Sequence, residues 1–132
     1  MKIAIAQLNP TVGDVAGNSE LVSTAACRAR EAGADLLVVS ELVISGYPPK
    51  DLLLREGFVA ACDRAVTELA SHVDPKLGVL VGHPSHWNLP EASIGNAASL
   101  LLAGQVQKTV YKCLSHGRFV RNRWQFSSKW RF

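Results

Sequence analysis

Apolar and polar positions change period several times along the chain. "KIAIAQL", residues 2–8, is a short apolar, β-rich run that predicts a first strand. Turn residues follow in "NPTVGDVAGN". From Ser19 to Ala32 the apolar groups Leu21, Ala25, Ala29 and Ala32 recur at helical spacing, with Asn18 as the expected N-cap and Gly33 at the carboxyl end. "DLLVVS", 35–40, is a continuous apolar run of the kind expected for a strand buried on both faces.

A second helix is expected from about Asp51 to Val73, because Phe58, Cys62, Ala65, Leu69 and Val73 share a face. "LGVLVGH", 77–83, is a third strand, and "PSHWNLPEASIG" is expected to form a loop. "NAASLLLAGQVQKTVYK", 96–112, predicts two strands joined at Ala103-Gly104. Strand, helix, strand, helix, strand is the order of an α/β layer on a parallel core.

Composition narrows the class. With 48% hydrophobic and 19% charged residues, the 132-residue chain is globular rather than disordered, and it has the length of one domain or part of one. No apolar run reaches the roughly 18 residues a membrane helix needs, and no signal peptide is legible, so a cytoplasmic protein that does not engage a membrane is expected. Cys27, Cys62 and Cys113 make no CxxC pair and have no histidine at ligand spacing, which argues against a metal site or a disulfide framework. Cys27 and Cys62 are expected on the apolar stripes of the two helices.

Charge is unevenly placed. Residues 113–132 hold Arg118, Arg121, Arg123, Lys129 and Arg131 and no acid, a net +5, whereas residues 1–112 carry nine basic and eleven acidic side chains, a net −2. The composition changes at residue 113.

Two residues stand out chemically. Glu41 ends the second apolar run and precedes a turn containing Gly46, Tyr47, Pro48 and Pro49. In a parallel sheet, functional groups gather at the carboxyl ends of strands. A carboxylate there either accepts hydrogen bonds from the turn or, partly desolvated and with a raised pKa, acts as a general base. Lys112 ends the last predicted strand on the alternation parity of Val106 and Val110. It either faces solvent or points inward towards a carboxylate such as Glu41.

"KIAIAQLNPTVGDVAGN", "GADLLVVSELVISGYPPKDLLLR" and "NAASLLLAGQVQKTVYK" together resemble the carbon–nitrogen hydrolase (nitrilase-type) family. "SGYPPKDLL" is the most specific part and is similar to the glutaminase domains of the NAD+ synthetase branch. The resemblance implies an α/β fold, the first half of a nitrilase-type α-β-β-α sandwich. It also implies amide hydrolysis by a Glu, Lys and Cys triad, in which Glu41 matches the general base and Lys112 the lysine that stabilises the tetrahedral intermediate. Tyr47 matches a residue lining the glutamine pocket. The implied substrate is glutamine, whose ammonia serves a synthetase domain normally in the same chain. That domain would bind ATP and deamido-NAD+, and no cofactor or metal is expected in residues 1–112.

The resemblance stops at Lys112. The family continues with two residues and then L-P-N-Y-x-V-F-D-E; here "CLSHGRFVRNRWQFSSKWRF" follows. The expected organisation is therefore a partial carbon–nitrogen hydrolase domain, 1–112, and a divergent basic tail, 113–132, read out of frame or from a broken gene end. Cys113 adjoins Lys112 and is not expected to be the nucleophile, because neighbours in a strand point to opposite faces. A chain with two of three catalytic groups is expected to be inactive alone and to self-associate through an exposed sheet edge. Two other readings are a truncated stand-alone amidase or nitrilase relative, and an anion-binding module using Trp124, Phe126 and Trp130 of the tail as stacking groups. The slightly acidic body argues against a nucleic-acid partner.

Overall fold

The computed structural model describes residues 1–89, 92–113 and 129–130. The sheet runs in the order β1 (Ile3–Ile5), β2 (Leu36–Val38), β3 (Gly78–Leu89), β4 (Ala92–Leu102), β5 (Gln105–Cys113) and β6 (Lys129–Trp130). β1, β2 and β3 are parallel, and β3 to β6 are antiparallel. The expected α/β order with a parallel start is what forms. β6 pairs Trp130 with Lys112 and Lys129 with Cys113; the other tail residues, Trp124 and Phe126 among them, lie outside the described residues.

α1 (Val15–Glu31) and α2 (Phe58–His72) pack on one face of the sheet. The core between them holds Val22, Ala26 and Ala29 of α1, Cys62, Val66 and Leu69 of α2, and Leu37, Val79, Val81 and Leu101 of the strands. α1 ends where glycine was expected to end it. Gly33, at φ +71°, directs its N–H to Arg30 O, and the Ala34 N–H reaches Ala29 O. Only glycine takes that left-handed position without strain.

The start of α1 differs from expectation. Asp14 is the N-cap, accepting from the Gly17 N–H at 2.9 Å, so the helix begins before Asn18. Asn18 lies inside α1, 1% exposed, and the helix presents Val22 and Ala26 to the core while Leu21 faces solvent. Cys27 is exposed rather than on the apolar stripe; Cys62 is fully buried, and burial, with the neighbouring Asp63 charge, pushes its thiol up to about 12. The expected second helix is broken: a short 3-10 turn covers Lys50–Leu54, and α2 starts only after Gly57.

The described residues of "PSHWNLPEASIG", 84–89 and 92–95, are strand rather than loop. β3 continues to Leu89 and pairs with β4 from His83↔Ala97 to His86↔Ile94. Cross-strand pairing there overrides the local turn signal of Pro84, which lies beyond the stretch where β3 also pairs with β2.

β2 is not buried on both faces. Leu37 is 1% exposed under the helices, while Leu36 and Val38 on the opposite face are only half-buried. The register places Ile3, Ile5, Leu36, Val38, Leu80 and Leu100 on that second face. No described element covers it, and Ile5 at the β1 edge is 76% exposed.

Beneath α2 runs a polar chain. His83 Nε2 lies 2.8 Å from Ser99 Oγ, which lies 2.8 Å from Thr109 Oγ1, and Asp63 of α2 faces His83 Nδ1 at 3.7 Å. Burial pushes His83 below the usual histidine range, against the opposing pull of Asp63. The unfolded chain therefore takes up this proton first as pH falls, and the fold loses stability below about pH 6.5. Urea midpoints should drop between about pH 7.5 and about pH 5.5, and His83→Gln should reduce that drop. An equal drop in both proteins would assign the dependence to other groups.

Candidate active site

β2 ends at Val38, and the chain then turns over β3 at Gly82, just past the residues of β3 that pair with β2. Residues 41–45 form the turn; Leu42, Val43, Ile44 and Ser45 are all buried, and Glu41 alone among them is exposed. The apolar residues after Glu41 thus anchor the turn in the core and leave the carboxylate at its rim. Gly82 of β3 makes room for this. A Cβ there would stand 2.7 Å from Leu42 N and 2.9 Å from both Glu41 Cα and Ser40 O.

The stretch 9–13, with a turn at Val12–Gly13, closes against the first. The buried Asn18 side chain holds both: its Oδ1 accepts from Thr11 N at 2.8 Å, and its Nδ2 donates to Thr11 O at 2.8 Å and Ile44 O at 3.1 Å. Gly13 N donates to Ser45 O at 2.9 Å. Gly46, at φ +73°, lies so close that a Cβ would be 2.6 Å from Val12 Cα. Asn18 therefore joins the two turns instead of capping a helix. The peptide after Tyr47, Tyr47–Pro48, is cis.

Between the turns lies an open cavity of about 340 Å³, lined by Asn9, Pro10, Ser40, Glu41 and Tyr47. Two of the three residues singled out from the sequence, Glu41 and Tyr47, line it. The third, Lys112, meets Glu41 from β5: its Nζ is 3.0 Å from Glu41 Oε1, across 71 residues of sequence. Asn96 of β4 donates to the same oxygen at 2.5 Å. The solvent-facing alternative for Lys112 is not what forms.

How Lys112 gets there corrects the alternation argument. The β4–β5 register shifts between Leu100↔Lys108 and Leu101↔Val106, so Gln107 is an extra residue. Val106 packs towards the helices, whereas Lys108, Val110 and Lys112 belong to the opposite face. Lys112 shares the parity of Val110 but not the face of Val106.

The electrostatics also correct an expectation. Glu41 was expected to be raised by desolvation. Instead the hydrogen bond from Lys112 holds its carboxyl below the usual glutamate range, overcoming an upward push from burial, with Asn96 adding to the lowering. The side chain is 49% exposed, which keeps the desolvation penalty small. The carboxylate is therefore ionised at neutral pH and able to accept a proton. Its contribution to stability is present above the ordinary glutamate pKa and is lost as pH falls through the lowered folded value.

The cysteines stand apart from this cavity. Cys27 lines a different hollow, with Arg30 and His72 on the helix side, and Cys62 is in the core. The side chain of Cys113 lies outside the described residues. Asn96 and Gly82 were not singled out from the sequence. Asn96 shares β4 alternation with Ala98 and Leu100, so its face was readable, but nothing local marks its contact with Glu41.

No described helix is long and apolar enough to cross a membrane. Comparison with known proteins places the chain. The glutamine-dependent NAD(+) synthetase of Synechocystis sp. is 42% identical over 116 residues, covering 85% of this chain and 21% of that protein. The solved glutamine-dependent NAD+ synthetase of Acinetobacter baumannii superposes with a TM-score of 0.79 at 25% identity, over 96% of this chain and 24% of that one. An amidase from Nesterenkonia sp. gives a TM-score of 0.71 at 29% identity, over 89% and 44%. This chain thus spans about a fifth of the length of the synthetase relatives. The carbon–nitrogen hydrolase family profile matches residues 2–104, and this chain belongs to that family.

Proposed function

We propose that residues 1–112 form the base-and-lysine half of a glutaminase site that provides ammonia for NAD+ synthesis. The observation that carries this is the Glu41–Lys112 ion pair at the mouth of a cavity that also holds Tyr47. An ionised carboxylate beside an ammonium group suits a reaction that needs a proton acceptor and then a stabiliser of developing negative charge.

In the chemistry proposed, Glu41 takes the proton of a cysteine thiol. The thiolate attacks the side-chain carboxamide carbon of glutamine, and Lys112 stabilises the resulting oxyanion. Glu41 returns the proton to the leaving nitrogen, which departs as ammonia and leaves a thioester. Water, deprotonated by Glu41, then releases glutamate and frees the thiol. Tyr47 forms part of the glutamine pocket wall. The thiol is supplied by sequence other than Cys27 and Cys62. In a glutamate-to-glutamine mutant of the Nesterenkonia amidase, acrylamide adds to an active-site cysteine, which supports a cysteine as the nucleophile.

The partner is a synthetase domain that uses ATP and deamido-NAD+, in the cytoplasm. The open sheet face accepts a second sheet, from the remainder of a longer chain or from another copy. Residues 113–132 we read as a divergent basic segment outside the glutaminase unit.

Grafting residues 1–112 of this chain in place of the matching segment of the Synechocystis synthetase tests the reading. The chimera is expected to make NAD+ with glutamine or with free ammonia as nitrogen donor. A chimera that folds and uses ammonia but never glutamine would overturn it.

A further inference from the structure

Two donors converge on a single oxygen of Glu41. Asn96 Nδ2 lies 2.5 Å and Lys112 Nζ 3.0 Å from Oε1, and among the described residues none donates to Oε2. An ionised carboxylate has about four lone-pair sites over its two oxygens, so placing both donors on one of them is a selection.

Lys112 alone would make that selection poorly. Its ammonium is a compact charge on a flexible four-carbon stem, and it can follow either oxygen. The terminal torsion of a glutamate is broad and roughly two-fold, so half a turn of the carboxylate exchanges the oxygens. Asn96 is short, and its backbone is fixed in β4 beside Pro84 of β3, while Ala97 is paired with Tyr111, the neighbour of Lys112 in β5. A donor on a short stem in a paired strand distinguishes the oxygens where a lysine cannot. Its neutrality matters as well: an aspartate in its place would set a second carboxylate against Glu41 and raise its pKa.

We infer that Asn96 is a positioning residue: it commits Oε1 to the strands and leaves Oε2 as the oxygen that exchanges the proton. Asn96 acts through Glu41 and needs no contact with substrate. This rests on Glu41 being the base. It adds that the base works through one particular oxygen, chosen by an amide 55 residues away in sequence.

The test is a titration of Glu41 in the full chain, labelled with ¹³C at glutamate Cδ and assigned with Glu41→Gln. In the unaltered chain the Glu41 signal is expected to titrate below the ordinary glutamate range. Asn96→Ala should shift it upward towards that range, and Asn96→Asp should shift it further. Lys112→Met should also move it upward, as the other donor to Oε1. An Asn96→Ala titration that superimposes on the unaltered one, while Lys112→Met moves, would overturn the role of Asn96. If Asn96→Ala does not fold by circular dichroism, the isosteric Asn96→Asp decides by the same measurement, since a Glu41 midpoint that stays put in that variant is equally fatal. The glutaminase reading fails separately. A grafted synthetase unable to use glutamine would remove the catalytic role and leave this titration unchanged, whereas an unmoved titration would remove Asn96 and leave the graft active.

Discussion

Glu41→Gln in the grafted synthetase should cut glutamine-dependent NAD+ formation by about 10²- to 10⁴-fold, the usual range for loss of a general base, while ammonia-dependent formation is unchanged. Glutamine at position 41 keeps the size of the side chain and retains a carbonyl oxygen that can accept from Asn96 and Lys112 at the present 2.5 and 3.0 Å. What it loses is the ability to take a proton. The comparison of nitrogen donors separates chemistry from folding, because ammonia enters after the amide has been cleaved. If both activities fell together, the substitution would have damaged the protein. If neither fell, Glu41 would be a structural acceptor for the turn, and the ion pair with Lys112 would have no catalytic meaning.

The parts of this fold that were readable from sequence are those decided locally. β2 and the core of β3 stand out as apolar runs, the Ala103-Gly104 hairpin forms where its turn residues place it, and α1 ends at Gly33 as glycine chemistry requires. Distant contacts decided against local signals elsewhere. Asn18 has the preference of an N-cap, yet its carboxamide is used up by Thr11 and Ile44, so Asp14 caps the helix instead. Pro84 and the polar residues after it read as a loop, yet β4 pairs with them. The extra residue at Gln107 reverses the parity of β5, and no periodic reading of "QVQKTVYK" separates Val106 from Val110 without knowing the β4 register.

The site shows the same division. Glu41 and Lys112 could each be picked out, but as isolated residues each retained a bland alternative; resemblance to a family joined them. The contact itself depends on the turn after β2 carrying Glu41 over β3, where Asn96 of β4 and Lys112 of β5 reach it. The sign of the Glu41 shift is illegible in the sequence for the same reason. Apolar neighbours in sequence suggested desolvation, whereas the turn buries those neighbours and leaves the carboxylate half in water with a cation against it. Sequence proximity to apolar residues is a poor guide to burial where the backbone turns.

Gly82→Ala is expected to lower stability by about 1–3 kcal/mol, the cost typical of forcing an extra methyl into a packed site, and to disturb Glu41 as well. The added Cβ would meet Leu42 N, Glu41 Cα and Ser40 O within 2.9 Å. All three are backbone atoms, so no side-chain rotation relieves the contact; the turn must move off β3. It cannot move freely, because its far end is held by Gly46 against Val12 and by Asn18 on Ile44 O. The strain should therefore fall on Ser40 and Glu41, and the carboxylate should lose its placement against Lys112 and Asn96. Two measurements on one variant check this: the urea midpoint should fall, and the Glu41 titration should return towards the ordinary glutamate range. A lower midpoint with Glu41 still titrating as in the unaltered protein would mean that the turn moves as a unit with its partners. An unchanged midpoint would mean that the backbone at β3 yields instead, and that the space above Gly82 is not what sets the position of the base.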